Sequence, residues 1–187
     1  MLVIDEQRAL GLRAAAVADL VRTLGTPPTR LSEDQLDAVV LAVAMRPMLY
    51  QDLVVSDAEH RWWMQLHLAQ NLDVRVLSWA PDQASDWHDH GGSSGAFAVT
   101  SGALLEQSRA DDGVSVRTRR LAVGQHGSFG PAHVHDVQHA AGSPAVSIHA
   151  YSPPLTGLTY YQRSALGFVA QAVVPEERRD AFAPSPN

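Results

Sequence analysis

Apolar residues in the first part of the chain recur every three to four positions, which is the period of an amphipathic helix. This period predicts a first helix over about residues 5–24. The run Ser32–Gln35 has the form of a capping box and predicts a second helix that ends before Pro47. A similar box at Ser56–Glu59 predicts a third helix, which continues through about Leu68.

From Leu72 onward the pattern changes to the two-residue alternation of β-strands. Val74 and Val76 alternate with Arg75 and Leu77, and short β-prone runs follow, separated by Gly, Pro and Asp. The predicted strands are 73–79, 86–90, 95–100, 103–109, 114–121, 128–130, 134–139, 145–152 and 158–163.

Many short strands at close spacing predict a mainly β fold, a jelly-roll β-barrel over about residues 72–165. A helical segment over about residues 1–70 precedes it. The run Asp111–Gly113 is a hairpin turn between two of the strands. No linker or repeat interrupts the pattern, so we expect one domain over residues 1–187, with a loosely held tail at 175–187.

Composition narrows the chemistry. The net charge of −6 gives no basic surface for nucleic acid, and the chain has no cysteine. Metal ligands must therefore come from His, Asp or Glu. The longest apolar run, residues 38–45, is too short to span a membrane, and the charged N-terminus lacks the apolar stretch of a signal peptide. We expect a soluble cytoplasmic protein that binds neither nucleic acid nor membranes.

Seven of the nine histidines lie between His88 and His149. His88 and His90 share one face of an extended segment, so two imidazoles could bind one metal ion, while the intervening Asp89 faces away. A third histidine about 45 residues later would complete a facial three-nitrogen site. The candidates on one strand face are His133, His135 and His139.

The same two-residue period places Ser147, His149 and Tyr151 on one wall. A hydroxyl, an imidazole and a phenol in a row are groups that hold or move protons. The sequence therefore predicts a metal site inside a small β-barrel, with a row of proton-handling side chains beside it.

The stretch from His88 to Gly102 resembles the first motif of the cupins, in which two ligand histidines are followed by a slot that often holds a glutamate ligand. Here the slot is Gly95, and this departure resembles the cysteine dioxygenase family of thiol dioxygenases. The second motif of that family resembles His135 together with the Ser-x-His-x-Tyr-Ser-Pro-Pro run at 147–154. The resemblance covers about residues 73–161, with His139 at a place where the family often has asparagine.

This resemblance implies a cupin fold with one Fe(II) held by His88, His90 and His135. It implies a reaction in which both atoms of O₂ are transferred to the sulfur of a small thiol, with L-cysteine giving cysteine sulfinate. The hydroxyl of Tyr151 would face substrate and oxygen, oriented by His149 and Ser147. It also implies a monomer. Zinc is the competing metal, because three histidines also describe hydrolytic zinc sites.

Substrate recognition is less determined. The family binds the substrate carboxylate through an aromatic-x-Arg setting before the barrel, and relatives with glutamine there prefer 3-mercaptopropionate. The chain offers Gln65 at that place and Arg61 one predicted helical turn earlier. Trp87, next to His88, could cradle a quaternary ammonium, which makes ergothioneine an alternative substrate. Two rival hypotheses are an oxygen-independent cupin hydrolase or isomerase, and a cupin that only binds a small ligand.

Overall fold

The computed structural model describes residues 6–175, with side chains from residue 10 onward. Within this range two helices and a short 3₁₀ turn precede ten strands, so the fold is mainly β as predicted. The elements are α1 (Glu6–Thr23), α2 (Glu33–Ala44), the 3₁₀ turn (Pro47–Leu49), β1 (Trp63–Ala69), β2 (Leu72–Trp79), β3 (Ser94–Ser101), β4 (Ala103–Arg109), β5 (Val116–Ala122), β6 (His126–Phe129), β7 (His135–His139), β8 (Ala145–Ser152), β9 (Gly157–Ser164) and β10 (Gly167–Pro175). The predicted tail lies outside the described residues beyond Pro175.

The second helix begins where its capping box predicts. The Ser32 hydroxyl accepts from the backbone N–H of Gln35 at 3.3 Å, and the Gln35 side chain accepts from the backbone N–H of Ser32 at 2.9 Å. These two bonds satisfy donors that the first turn would otherwise leave unpaired. The helix ends at Ala44, before Pro47, as predicted.

The predicted third helix is wrong, and the helical segment is therefore shorter than residues 1–70. Asp57 accepts from the backbone N–H groups of Glu59 and His60, but the resulting turn does not continue. The residues from Trp63 to Ala69 form β1, which pairs antiparallel with β2 through the two-residue turn at Gln70 and Asn71. Alternate β1 side chains pack against two different layers of the protein. Side chains of a helix do not alternate in this way, so the segment forms a strand.

The other strand predictions are close to the observed bounds, with two exceptions. Residues 86–90 do not form a strand of their own, although His88 makes isolated bridges to His135 and Tyr160. The last strand, β10, was not predicted, and it pairs with β9 as a hairpin.

The strands form three antiparallel sheets within the described residues. The largest has the order β1-β2-β8-β3-β6, a second has the order β5-β4-β7, and β9 pairs with β10. Every residue of β2 is buried, because both of its faces are covered. Leu72, Val74 and Val76 pack with α2 in a helix-side core, while Leu77 and Trp79 belong to a second cluster that we call the barrel interior.

The faces of β2 and β8 that point into the barrel interior carry several polar side chains. Cross-strand register puts Asp73 opposite Tyr151, Arg75 opposite His149 and Leu77 opposite Ser147. Because directly opposed residues point to the same face, this interior wall mixes charged, polar and apolar side chains. Among the described helices, none is both long and apolar enough to cross a membrane.

Candidate functional site

Three buried histidines meet inside the barrel. His88 and His90 lie on the segment between β2 and β3, and His135 is the first residue of β7. The backbone N–H of His88 donates to the carbonyl of His135 at 2.9 Å, and the reverse bond measures 3.0 Å. This bridge brings one donor nitrogen from each ring within 4.8 Å of the others. The three residues are at most 7% exposed.

The hydrogen bonds of these rings orient them for a metal ion. Nδ1 of His88 donates to the carbonyl of Asp86 at 2.8 Å, and Nδ1 of His135 donates to Glu106 Oε1 at 2.7 Å. Both rings therefore keep Nε2 as a lone-pair donor. Nδ1 of His90 is buried and has no hydrogen-bond partner within residues 6–175. Burial lowers the pKa of both His90 and His135, so these imidazoles stay neutral, as metal ligation requires.

Of the two competing histidines, His139 points away from the cluster, whereas the ring of His133 lies 4.8 Å from that of His135. Nε2 of His139 donates to the carbonyl of Ser143 at 3.0 Å, away from the cluster. His133 stacks on Phe129 at 4.8 Å and points Nε2 at Glu106. Its donor atom also groups with those of Glu106 and His135 within 4.8 Å, but Arg119 already neutralises this carboxylate. The arrangement favours His88, His90 and His135 as the ligand set.

Glu106 on β4 holds the third ligand in place and was missed from the sequence. It is 2% exposed, and its Oε2 accepts from Arg119 Nε at 2.5 Å. Burial acts to raise the pKa of this carboxyl, but hydrogen bonds from His133 and His135 and the charge of Arg119 outweigh burial and hold the pKa well below its usual value. Glu106 is therefore a carboxylate that fixes the tautomer and orientation of His135.

We expect Glu106→Gln to weaken metal binding by about 10–100-fold, because outer partners of ligating histidines typically contribute that much. The amide keeps the shape but loses the charge that polarises His135. Competition with a chelator of known affinity, using Zn²⁺ or Co²⁺ on the purified chain, measures the change. The matched control is Glu59→Gln, at an exposed carboxylate outside the barrel. Equal affinity in both variants would remove Glu106 from the site.

The slot that holds a ligand glutamate in many cupins is closed here. A Cβ atom added to Gly95 would lie 2.4 Å from Phe129 Cζ and 3.1 Å from Tyr151 Cδ1. Phe129 also stacks on His90 at 4.6 Å. Aromatic rings therefore fill the space of a carboxylate side chain, and three nitrogen ligands remain.

The predicted row on β8 forms a continuous hydrogen-bonded relay. Ser147 Oγ lies 2.8 Å from His149 Nε2, and His149 Nδ1 lies 3.1 Å from the Tyr151 hydroxyl. The ring centroid of Tyr151 is 5.4 Å from that of His90, so the relay ends beside the three histidines. Trp79 extends the relay at the other end, since its indole N–H donates to Ser147 Oγ at 2.9 Å.

The structure separates the three predicted substrate-binding residues. Arg61 donates to the carbonyl of Ala84 at 2.7 Å and lies over the Trp79 ring, at the far end of the relay from Tyr151. The indole of Trp87 packs edge-on against Phe168 at 4.7 Å, and no ring contact among the described residues joins it to the three histidines.

Gln65 is exposed overall and lies on a strand instead of a helix, so Arg61 does not share a helical face with it. Its side-chain amide donates to Asp73 Oδ1 at 3.0 Å. Gln65 and Trp63 also line a cleft of about 610 Å³ between α1 and β1. This hydrogen bond joins Gln65 to a buried charged residue of the interior wall.

Arg75 lies beside the Tyr151 end of the relay and was not among the candidates predicted from the sequence. It is 3% exposed, and its Nε donates to Asp73 Oδ2 at 2.8 Å. Its guanidinium lies 4.5 Å from the Trp63 ring centre and 5.9 Å from that of Tyr151. One sequence signal could have identified Arg75: it is a charged residue in the alternating pattern of β2, a strand that is buried on both faces.

Comparison with solved structures supports the fold. An uncharacterised conserved protein with a double-stranded β-helix domain from Klebsiella pneumoniae superposes with a TM-score of 0.52 and 16% identity, covering 59% of this chain and 86% of that one. A cupin superfamily protein from Desulfitobacterium hafniense gives 0.46 and 9%, covering 55% and 86%. A search among curated proteins found no match. The first likeness shows that the chain has the fold of a double-stranded β-helix domain.

The family comparison is more specific. The family model described as cysteine dioxygenase type I matches residues 9–164, which is most of the 187-residue chain. The matched range includes the three clustered histidines, the relay on β8 and Arg75. The chain therefore belongs to the cysteine dioxygenase type I family.

Proposed function

We propose that this protein is an Fe(II)-dependent thiol dioxygenase that converts a small carboxylate-bearing thiol to its sulfinic acid, with L-cysteine as the first candidate. The observation that carries the proposal is the cluster of His88, His90 and His135. It lies beside the Tyr151 end of the relay on β8. Fe(II), when bound, supplies the capacity to bind thiol and O₂ together and to oxidise sulfur.

The donor set suits this ion. Three neutral imidazoles on one side leave adjacent positions open, and oxidation of a thiol by O₂ needs more than one open position. Nδ1 atoms of His88 and His135 are engaged as hydrogen-bond donors, and His90 carries a buried nitrogen without a partner in the described chain. One donor nitrogen from each of the three rings lies within 4.8 Å of the others, which is the spacing that fits a single metal ion.

Arg75 is the best-placed group for a substrate carboxylate. A guanidinium presents donors on more than one edge, so its ion pair with Asp73 is compatible with a second anion. Its guanidinium lies 5.9 Å from the centre of the Tyr151 ring, at the Tyr151 end of the relay. A thiol whose sulfur reaches the histidine cluster could thus set its carboxylate against Arg75. Trp63, which stacks on the guanidinium, limits its movement.

The relay holds the hydroxyl of Tyr151 in place through its hydrogen bond with His149. Tyr151 is 6% exposed, and its ring lies 5.4 Å from that of His90. Phe129 and Phe97 pack around the rings of His90 and His149 and exclude water from them. The role proposed for Tyr151 is to donate a hydrogen bond to oxygen or sulfur as charge develops there.

The test is O₂ uptake by anaerobically Fe(II)-loaded protein with cysteine, 3-mercaptopropionate and ergothioneine. We expect stoichiometric O₂ consumption and sulfinate formation with at least one of the first two thiols. The Zn²⁺-loaded protein and the Fe(II)-treated His90→Ala variant are the controls, and both should be silent. Iron-loaded protein that consumes no O₂ with any of the three, or that acts equally well with zinc under nitrogen, would overturn the proposal in favour of an oxygen-independent cupin enzyme.

A further inference from the structure

Trp79 lies at the inner end of the relay and has no role in the function proposed above. It is 1% exposed, faces the barrel interior from β2, and donates its indole N–H to Ser147 Oγ at 2.9 Å. We propose that Trp79 is a positioning residue that sets the direction of every hydrogen bond in the relay, and that this direction makes Tyr151 a donor towards the histidine cluster. The consequence for turnover rests on the proposed dioxygenase activity, whereas the direction itself does not.

The first step concerns Ser147. An indole N–H can only donate, so Ser147 Oγ must accept from Trp79. The serine is fully buried, and its own hydrogen needs an acceptor. Within the described chain, the other group at hydrogen-bonding distance from Ser147 Oγ is His149 Nε2, at 2.8 Å. Ser147 therefore donates to His149, because a buried hydroxyl hydrogen left without an acceptor is destabilising.

The second step concerns the imidazole. If Nε2 of His149 accepts, the neutral ring carries its hydrogen on Nδ1, which lies 3.1 Å from the Tyr151 hydroxyl. The Tyr151 oxygen then accepts from His149, and its own hydrogen points away from the relay. The ring of His149 is held for this by Phe97, which stacks on it at 5.3 Å with planes 15° apart.

The opposite direction is the alternative that Trp79 disfavours. In a reversed relay Tyr151 donates to His149, and His149 donates through Nε2 to Ser147. Ser147 then receives two donors, one from His149 and one from Trp79, and its own hydrogen is buried without an acceptor. Removal of the indole opens space beside Ser147 in which a water molecule can accept that hydrogen. The two directions then become comparable in free energy.

The direct test is the tautomer of His149, read from long-range ¹H–¹⁵N spectra of the ¹⁵N-histidine-labelled, Zn²⁺-loaded full chain. We expect the wild-type protein to show one tautomer, with the hydrogen on Nδ1. Trp79→Phe should show Nε2–H, or exchange between both forms. Trp62→Phe, which removes an indole that packs against the helix-side core, should leave the wild-type signal unchanged. Nε2–H in the wild-type protein overturns the proposal even if Trp79→Phe does not fold.

The consequence for the reaction is tested by a double-mutant cycle. Trp79→Phe should lower kcat by about tenfold with little change in KM, since the substrate still meets the same side chains. In the Tyr151→Phe background the same substitution should have almost no further effect, because Trp79 acts through that hydroxyl. Additive losses would show that Trp79 acts only by packing. An inactive wild-type protein with the expected tautomer would refute the dioxygenase and leave the relay direction intact.

Discussion

Substitution of His135 by alanine is expected to abolish tight metal binding, whereas His139→Ala leaves it intact. His135 supplies one of three nitrogens that lie within 4.8 Å of one another, and two imidazoles from a single segment cannot form the facial site alone. The loss should exceed about 100-fold in affinity, because partners that only orient such ligands already contribute 10–100-fold. Metal content after loading and gel filtration, followed by chelator competition, gives the result.

His139 is a matched control, since it lies on the same strand and donates to a loop carbonyl at Ser143. His133→Ala is a further comparison, because His133 shares Glu106 with His135. We expect it to weaken binding only modestly. Equal metal content in His135→Ala and His139→Ala would mean that the ligand set is wrong, and loss in His133→Ala alone would move the site to the group around Glu106.

Removal of the Arg75 charge is expected to abolish discrimination between a thiol carboxylate and its uncharged amide. A charge-assisted hydrogen bond to a carboxylate contributes about 1.5–3 kcal/mol, or on the order of 10–100-fold in kcat/KM. Truncating Arg75 alone would leave Asp73 charged and buried, at a cost of about 3–5 kcal/mol in stability. The variant to use is therefore Asp73→Asn with Arg75→Gln, which removes both charges of the pair and keeps similar side-chain shapes.

The measurement is kcat/KM for 3-mercaptopropionate and for 3-mercaptopropionamide. We expect the wild-type protein to prefer the acid by about 10–100-fold, and the double variant to prefer it by less than about threefold. Arg61→Gln, at the other arginine near the relay, is the control and should keep the wild-type preference. If Arg61→Gln loses the preference and the double variant keeps it, the carboxylate binds at the far end of the relay.

The fold prediction failed where local signals competed with tertiary pairing. Ser56–Glu59 has the residues of a capping box, and Asp57 does accept from two backbone N–H groups. The segment after it pairs with β2 because alternate residues from Trp63 onward fill two layers, which a local pattern cannot register. β10 was missed for a related reason, as it is a mostly exposed strand with weak alternation that gains its hydrogen bonds from β9.

The sequence by itself determined the jelly-roll fold and the second helix with its cap. It also determined that Ser147, His149 and Tyr151 share one face of a strand, because side chains two residues apart on a strand point the same way. It also narrowed the third ligand to three histidines. The resemblance of the second motif already pointed to His135 among them, and only the tertiary structure brought Glu106, Arg75 and Trp79 to the site. These side chains lie on other strands, and the distance between strands depends on cross-strand register and layer packing, which no local spacing encodes.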